Sequence, residues 1–91
     1  MGGKEEQMLN YDILPEDIRG AVKRYIEDHI KPGDFLQAVI CNNLKEAFQK
    51  ADDININRMF DIVKFFYWEA PGNCWGSSKK MEAWLGQQGD K

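Results

Sequence analysis

The chain has little of the chemistry from which metal sites and catalytic sites are built. It contains one histidine, His29, and two cysteines, Cys41 and Cys74, which are far apart in the sequence. A zinc site would need these residues at spacings that none of the usual sites shows. Cys41 follows Ile40 inside an apolar segment, which favours a small core residue over a nucleophile. We therefore expect no metal, no cofactor, no catalytic residue and no enzymatic activity.

Long hydrophobic runs are also absent. No apolar stretch approaches the roughly 20 residues that a membrane helix requires, and the N-terminal residues MGGKEEQ are polar. Without a secretory segment, reduced thiols in the cytoplasm are the expectation for both cysteines, and a disulfide between them is the alternative. We expect a cytoplasmic protein without a membrane partner.

The chain lacks an excess of positive charge. Twelve basic residues stand against fifteen acidic residues, which gives a net charge of −3. Proteins that grip duplex phosphates usually carry a basic excess or stripe, so this balance disfavours nucleic acid as a partner. Alternating apolar runs joined by an Asn-Gly turn are missing too, so no strand is predicted.

Helical periodicity is what the sequence does contain. In a chain of 91 residues, 43% are hydrophobic and 30% are charged, which is typical of one globular domain. From Leu14 to Ile30, apolar residues recur at intervals of three and four, with charged residues between them. Pro15 suits the first turn of this helix, and Pro32 ends it.

The next helix is predicted from Asp34 to about Lys50. Asp34 is a candidate N-cap, and Gln37 three residues later completes a pattern that resembles a capping box. Apolar residues continue at helical spacing from Phe35 to Phe48.

Two more helices complete the predicted fold. The third continues to Tyr67 and cannot pass Pro71; its candidate caps are Asp52, Asp53 and Asn55. The fourth is short and ends near Gly86; its candidate caps are Ser77 and Ser78. We predict an all-α fold, a compact bundle of three antiparallel helices plus a short C-terminal fourth helix, forming a single domain over 9–86 with flexible termini at 1–8 and 87–91.

The best candidate for a ligand site is the turn before the fourth helix together with the start of that helix. Hydroxyls, free backbone N–H groups and two cations would meet there, at a helix N-terminus that favours anions. Two tryptophans nearby offer stacking faces for a base, and the alternative is that both belong to the core. The candidate residues are Trp68, Trp75, Ser77, Ser78, Lys79 and Lys80.

Two further residues are weighed as ligand contacts. Asn43 falls close to the apolar stripe of the second helix, where an amide must bond backbone groups or else line a pocket or a subunit interface. Arg24 belongs to a basic strip on the first helix, and the alternative is that it forms an ordinary pair with Asp28 at the (i, i+4) spacing.

Four consecutive aromatic residues, Phe65 to Trp68, surround the third helix. One small domain has one interior, so part of this aromatic surface must face outward. A partner chain would bury it, because aromatic residues are enriched in the cores of protein interfaces. We expect a homo-oligomer, and the alternative is a monomer that wraps these side chains.

Several motifs together resemble a family of small helical proteins encoded by phages and prophages. They are LPEDIR at 14–19, RYIE at 24–27, PGDFLQAVICNNL at 32–44, FDIV at 60–63 and EAPGNCWGS at 69–77. The chain departs from the family pattern at Asn43, where Asp is more usual, and at Ser78, where Pro is more usual. No activity is attached to these motifs, so the resemblance transfers no residue role.

The resemblance implies a phage context, and therefore the cytoplasm of the host cell. Small phage accessory proteins often act against host systems by binding a host molecule, and two hypotheses follow. The first hypothesis is a homo-oligomer that sequesters a nucleotide-type defence signal, suggested by the anion and stacking groups between Trp75 and Lys80. The second is a protein that docks on a host protein and inhibits it, suggested by the acidic charge and the spare aromatic surface. A DNA-binding regulator would need a basic recognition helix, which the charge pattern does not supply.

Overall fold

The computed structural model describes residues 9–87, and in this range all regular structure is helical. The all-α prediction is confirmed. The helices are α1 Glu16–Asp28, α2 Asp34–Ile40, α3 Leu44–Lys50, α4 Asp53–Asn57, α5 Met59–Trp68 and α6 Ser78–Gly86, with short 3-10 helices at Tyr11–Ile13 and Gly72–Cys74. The predicted flexible termini at 1–8 and 87–91 lie outside the described residues, apart from Gln87.

Helix α1 follows the predicted pattern closely. Pro15 is its N-cap residue, and two acidic residues occupy its first turn, where they suit the positive end of the helix dipole. The predicted continuation to Ile30, with an end at Pro32, is wrong: the helix already ends at Asp28, because His29 adopts a left-handed conformation with φ of 59°. The His29 N–H then donates to the Tyr25 carbonyl at 3.1 Å and the Ile30 N–H to the Arg24 carbonyl at 3.2 Å, which satisfies the last turn.

The predicted second helix is divided into α2 and α3, so the prediction of one continuous helix to Lys50 is wrong. Asn42, between them, has φ of 62°, a left-handed conformation that Asn tolerates better than most residues. The side chain of Asn43 then caps α3. Asp34 is the first residue of α2 and not its cap, and the Gln37 amide donates to the Pro32 carbonyl instead of completing a capping box.

The predicted third helix is divided as well, into α4 and α5. Asp52 caps α4 by accepting from the Asn55 N–H at 2.8 Å, as one of the predicted alternatives. Arg58 lies at the break, and its guanidinium donates both to Asp61 and to the Ile13 carbonyl, each at 2.8 Å. This arginine ties the N-terminal 3-10 helix to α5.

The core lies between α1, α5 and the segment that leads into α6. Its largest fully buried side chains include Val22, Tyr25, Ile62, Phe65 and Phe66. The Tyr25 hydroxyl donates to the Cys74 carbonyl at 2.7 Å, and the indole of Trp84 donates to the Tyr25 carbonyl at 2.9 Å. These two bonds hold the segment before α6 and the C-terminal part of α6 against α1.

The last helix is confirmed as predicted, whereas the predicted antiparallel packing of three helices is not. The cap of the last helix is Ser77, and the helix ends at Gly86, as predicted. The packing of three antiparallel helices is not confirmed, because the predicted second and third helices are each broken in two. Across residues 9–87, no helix is long and apolar enough to span a membrane.

Candidate binding site

The residues proposed from the sequence lie in three separate places. One group belongs to the turn before α6 and to the start of that helix, where Trp75 and Ser77 to Lys80 follow each other. Trp68 lies on the outer face of α5, and Arg24 lies on α1. Asn43, at the start of α3, joins the first group across a cleft.

Trp75 packs toward the core. It is half-buried, and its ring centroid lies 5.7 Å from that of Phe66. The next residue, Gly76, has φ of 113° and donates its N–H to the Ile40 carbonyl at 2.7 Å, which anchors the turn to α2. The alternative of a core role therefore applies to Trp75, which packs on the core while partly buried, and its role as a stacking face stays a prediction.

The start of α6 uses some of its polar groups and leaves others exposed. The Ser77 hydroxyl accepts from the Lys80 N–H at 3.1 Å, so its oxygen serves as the helix cap. The Lys80 ammonium lies 3.4 Å from the Gly72 carbonyl and turns back over the preceding turn. Ser78 and Lys79 are exposed in the first turn, where backbone N–H groups have no acceptor within the helix.

Ser78 and Asn43 border the same cleft, which has a volume of about 270 Å³. We name it the polar cleft. Its walls come from α2, the α2–α3 turn, α3 and the first turn of α6. Its lining residues are Asp34, Gln37, Ala38, Cys41, Asn43, Glu46 and Ser78.

Asn43 forms a reciprocal pair with Glu46 at the mouth of the polar cleft. Its side-chain oxygen accepts from the Glu46 N–H at 3.2 Å, and its amide nitrogen donates to Glu46 Oε1 at 3.0 Å. This differs from a capping box, because Glu46 accepts from the Asn43 side chain while the Asn43 backbone N–H donates to the Ala38 carbonyl at 2.8 Å, and Asn43 is exposed rather than buried. The structural interpretation of Asn43 is thus confirmed, while its position beside Ser78 also places it on a pocket.

Two thiols lie near this region, and both are protonated at neutral pH. Cys41 borders the polar cleft and its sulfur lies 3.8 Å from that of Met81. Burial, followed by the charges of Glu82 and Glu46, raises the pKa of Cys41. Burial also raises the pKa of Cys74 to about 12. Both cysteines are free.

The polar cleft itself is acidic. Asp34 and Glu46 bring two carboxylates to it, and no lysine or arginine belongs to its lining. Carboxylates accept hydrogen bonds from N–H groups and repel phosphate, so an anion would have to lie outside the cleft, at the first turn of α6 beside Lys79. Among residues 9–87, no cluster of three His, Cys, Asp or Glu side chains is placed to hold a metal ion.

Trp68 belongs to an exposed aromatic surface on α5, which shares no residue with the lining of the polar cleft. Trp68 is 71% exposed and meets Tyr67 edge to face at 5.0 Å, while Phe60 is 77% exposed. The Lys64 ammonium lies 5.6 Å from the centre of the Phe60 ring. With Val63, these residues line a shallow groove of about 210 Å³, which we name the aromatic face.

Arg24 is exposed on α1 and does not line the polar cleft. Its guanidinium folds back along the helix over Gly20, where an added Cβ would lie 3.1 Å from one of its nitrogens. The ion pair with Asp28, which the sequence offered as the alternative, is not formed within the described part of the chain. The structure therefore does not bring Arg24 together with the other proposed ligand contacts.

Sequence reasoning missed Gln37 and Glu46 as cleft residues, and it considered Asn55 only as a cap. Asn55 is buried and lines a second cleft between α1, the start of α2 and the α3–α4 corner. A signal was present, because Asn55 precedes Met59 and Ile62 by four and seven residues and so falls on the buried helical face.

The chain matches no model of a protein family, no curated protein and no solved structure. The resemblance to small phage proteins therefore stays a prediction.

Proposed function

We propose that this protein is a phage-type accessory protein with an anti-defence role, a non-enzymatic homo-oligomer that binds and sequesters a nucleotide-type signalling ligand. The observation that carries the proposal is the position of Ser78 beside Asn43 on one polar cleft. These two residues come from segments that are far apart in the sequence, and both were proposed as ligand contacts from the sequence alone.

The chemistry around the polar cleft complements the two ends of a nucleotide. Asp34 and Glu46 supply acceptors for the amino and ring N–H groups of a base. The exposed first turn of α6 supplies unpaired backbone N–H groups, the Ser78 hydroxyl and the Lys79 ammonium for a phosphate. A ligand lying across the edge of the cleft would meet both sets of groups.

The aromatic face of α5 supports the homo-oligomer. Phe60, Tyr67 and Trp68 are each about two thirds or more exposed. An aromatic side chain buries 150–250 Å² when covered, so these three expose roughly 400 Å², about half of what one partner contributes to a stable interface. A second copy of the chain would cover this surface.

The finer architecture belongs to the same proposal. We propose that α2 with α3, and α4 with α5, form the second and third members of a three-helix antiparallel bundle, with α6 as the short fourth helix. The protein would act in the cytoplasm of the host cell, where the signalling nucleotide is produced.

The proposal is tested by calorimetric titration of the protein with a panel of cyclic and linear nucleotides. At least one nucleotide should bind the wild type. Glu46→Gln removes a carboxylate that accepts hydrogen bonds, and Lys79→Ala removes a cation, so each variant should bind that nucleotide at least about tenfold more weakly. Lys31→Ala is the matched control, because Lys31 is exposed and lies outside the polar cleft. Absence of binding by every nucleotide, or equal binding by all four proteins, would contradict the proposal.

A second candidate is a protein that inhibits a host protein by docking on it. The same aromatic face favours it, because a host partner would bury Phe60, Tyr67 and Trp68 as well as a second copy would. A strictly monomeric protein that binds no nucleotide would favour this candidate over the first.

A further inference from the structure

The carboxylates of the polar cleft have hydrogen-bonding capacity that the fold does not use. Asp34 and Glu46 both line the cleft and are exposed, so a ligand can reach them. Within residues 9–87, neither is paired with a cation. One hydrogen bond reaches their side chains from the described residues, and it runs from the Asn43 amide to Glu46 Oε1 at 3.0 Å. A carboxylate has about four acceptor positions, so most of them stay open to a ligand.

The same lining is poor in free donors. The Gln37 amide donates to the Pro32 carbonyl at 2.8 Å, and the Asn43 amide donates to Glu46. The Cys41 thiol lies against the Met81 sulfur, and no lysine or arginine belongs to the lining. A ligand in the polar cleft therefore has to supply donors, and it gains most by supplying two that one carboxylate can accept together.

Among the common bases, guanine offers donors in this arrangement. Its Watson–Crick edge places the ring N1–H beside the amino group, so that one carboxylate can accept from both groups in parallel. Adenine and cytosine carry the amino group beside an unprotonated ring nitrogen, which is an acceptor and repels a carboxylate. Uracil offers a single N–H between two carbonyl oxygens. The cleft therefore distinguishes guanine from the other three bases.

We infer that the ligand of the polar cleft is a guanine nucleotide, whose ring N–H and amino group donate to the carboxylates of Asp34 and Glu46. The inference rests on the proposed function, because it names the base of the nucleotide proposed there. The Asn43 amide holds Glu46 at the mouth of the cleft, which orients one acceptor before the ligand arrives. The phosphate lies outside the cleft, at the first turn of α6 beside Lys79.

Calorimetric titration with the monophosphates of guanosine, inosine and adenosine, linear and cyclic, tests the inference. Inosine keeps the ring N–H of guanosine and lacks its amino group, and adenosine has an acceptor in place of that N–H. For each phosphate form, affinity should fall at least about tenfold from guanosine to inosine, and again from inosine to adenosine, because each step removes a hydrogen bond to a charged group.

The outcomes separate this inference from the proposed function. A guanine nucleotide that binds no more tightly than its inosine or adenosine counterpart would overturn the inference and leave the proposed function intact. Absence of binding by every nucleotide would overturn both.

Variants assign the preference to the two carboxylates. Asp34→Asn with Glu46→Gln keeps the size of both side chains and removes both charges, so the ratio of guanine to adenine affinity should fall at least about tenfold. Asp53→Asn is the matched control, because Asp53 is exposed and lies outside the polar cleft. A double variant that keeps the wild-type ratio would overturn the inference.

Lys79→Ala distinguishes contacts to the base from contacts to the phosphate. It should weaken guanine and adenine nucleotides by the same factor, because the cation lies beside the phosphate that both share. The ratio of the two affinities should therefore stay as in the wild type. A ratio that changes in Lys79→Ala and not in the double variant would place the base at the first turn of α6, and that result would also overturn the inference.

Discussion

At the scale of single residues, the phenol of Tyr25 joins α1 to the turn before α6 by a buried hydrogen bond. Its hydroxyl donates to the Cys74 carbonyl at 2.7 Å, and both residues are fully buried. Tyr25→Phe should therefore lower the free energy of unfolding by about 1–3 kcal/mol, because it leaves a buried carbonyl without a donor. Urea unfolding measures this, and Tyr67→Phe is the control because Tyr67 is largely exposed. Equal losses in both variants would contradict this role for Tyr25.

The Cys74 thiol makes stability depend on pH in the alkaline range. Burial raises its pKa from 9.0 to about 12, so the unfolded chain loses this proton first. The contribution of the protonated thiol to the free energy of unfolding is complete below pH 9. It is lost as the pH rises toward 12, at up to about 1.4 kcal/mol per pH unit. Burial raises the pKa values of Tyr11 and Tyr25 as well, and these act in the same direction.

Cys74→Ala isolates the thiol's share of this effect. Between pH 8 and pH 10, under reducing conditions, the variant should lose less stability than the wild type in urea unfolding. The variant will be less stable at every pH because removal of the buried sulfur leaves a cavity, so the quantity to compare is the slope of the free energy of unfolding against pH. Parallel curves for the two proteins would show that Cys74 does not titrate as described.

Two asparagines show how far single residues could be predicted. The cap role of Asn43 was not predicted, because apolar spacing on both sides of it indicated one continuous helix, although Asn is a favoured N-cap residue. The unpaired oxygen of Asn55 could not be predicted, because pairing depends on which side chains the packed helices bring to the same place. Periodicity alone decides neither where a helix ends nor which side chains are paired.

At the scale of helices, Ser77 and Ser78 form a matched pair with different roles. Ser77 caps α6, whereas Ser78 borders the polar cleft. Ser77→Ala should lower stability by about 0.5–2 kcal/mol in urea unfolding, because it removes the cap. Ser78→Ala should leave stability nearly unchanged and weaken the binding of the nucleotide that we propose for the polar cleft. The reverse pattern would contradict the assignment of the two serines.

Helix existence was predictable from periodicity, but the helix breaks were not. Apolar spacing runs through Asn42 and through Arg58 without interruption, and both positions interrupt the helices in the fold. At Asn42, a left-handed residue and the cap at Asn43 outcompete helix continuation. At Arg58, bonds to Asp61 and to the Ile13 carbonyl hold the side chain in place, and the second of these is a tertiary contact.

At the scale of the whole molecule, the aromatic face determines the predicted assembly. Tyr67→Glu with Trp68→Glu should convert the oligomer to a monomer, because burying two carboxylates in an apolar interface costs more than the interface supplies. Light scattering measures the mass, and circular dichroism should show unchanged helicity because both residues are exposed. Leu44→Glu, at another exposed apolar position, is the control. A wild-type protein that is monomeric at tens of micromolar would contradict the assembly.

The central claim is that this protein holds a nucleotide intact in a homo-oligomer. Native mass spectrometry after incubation with the tightest nucleotide of the panel tests it most directly, since one spectrum gives both the number of subunits and the mass of each bound ligand. The account predicts an oligomer that carries unaltered nucleotide and releases it on heating. A monomer without ligand, or a bound species whose mass differs from that of the nucleotide added, would contradict it.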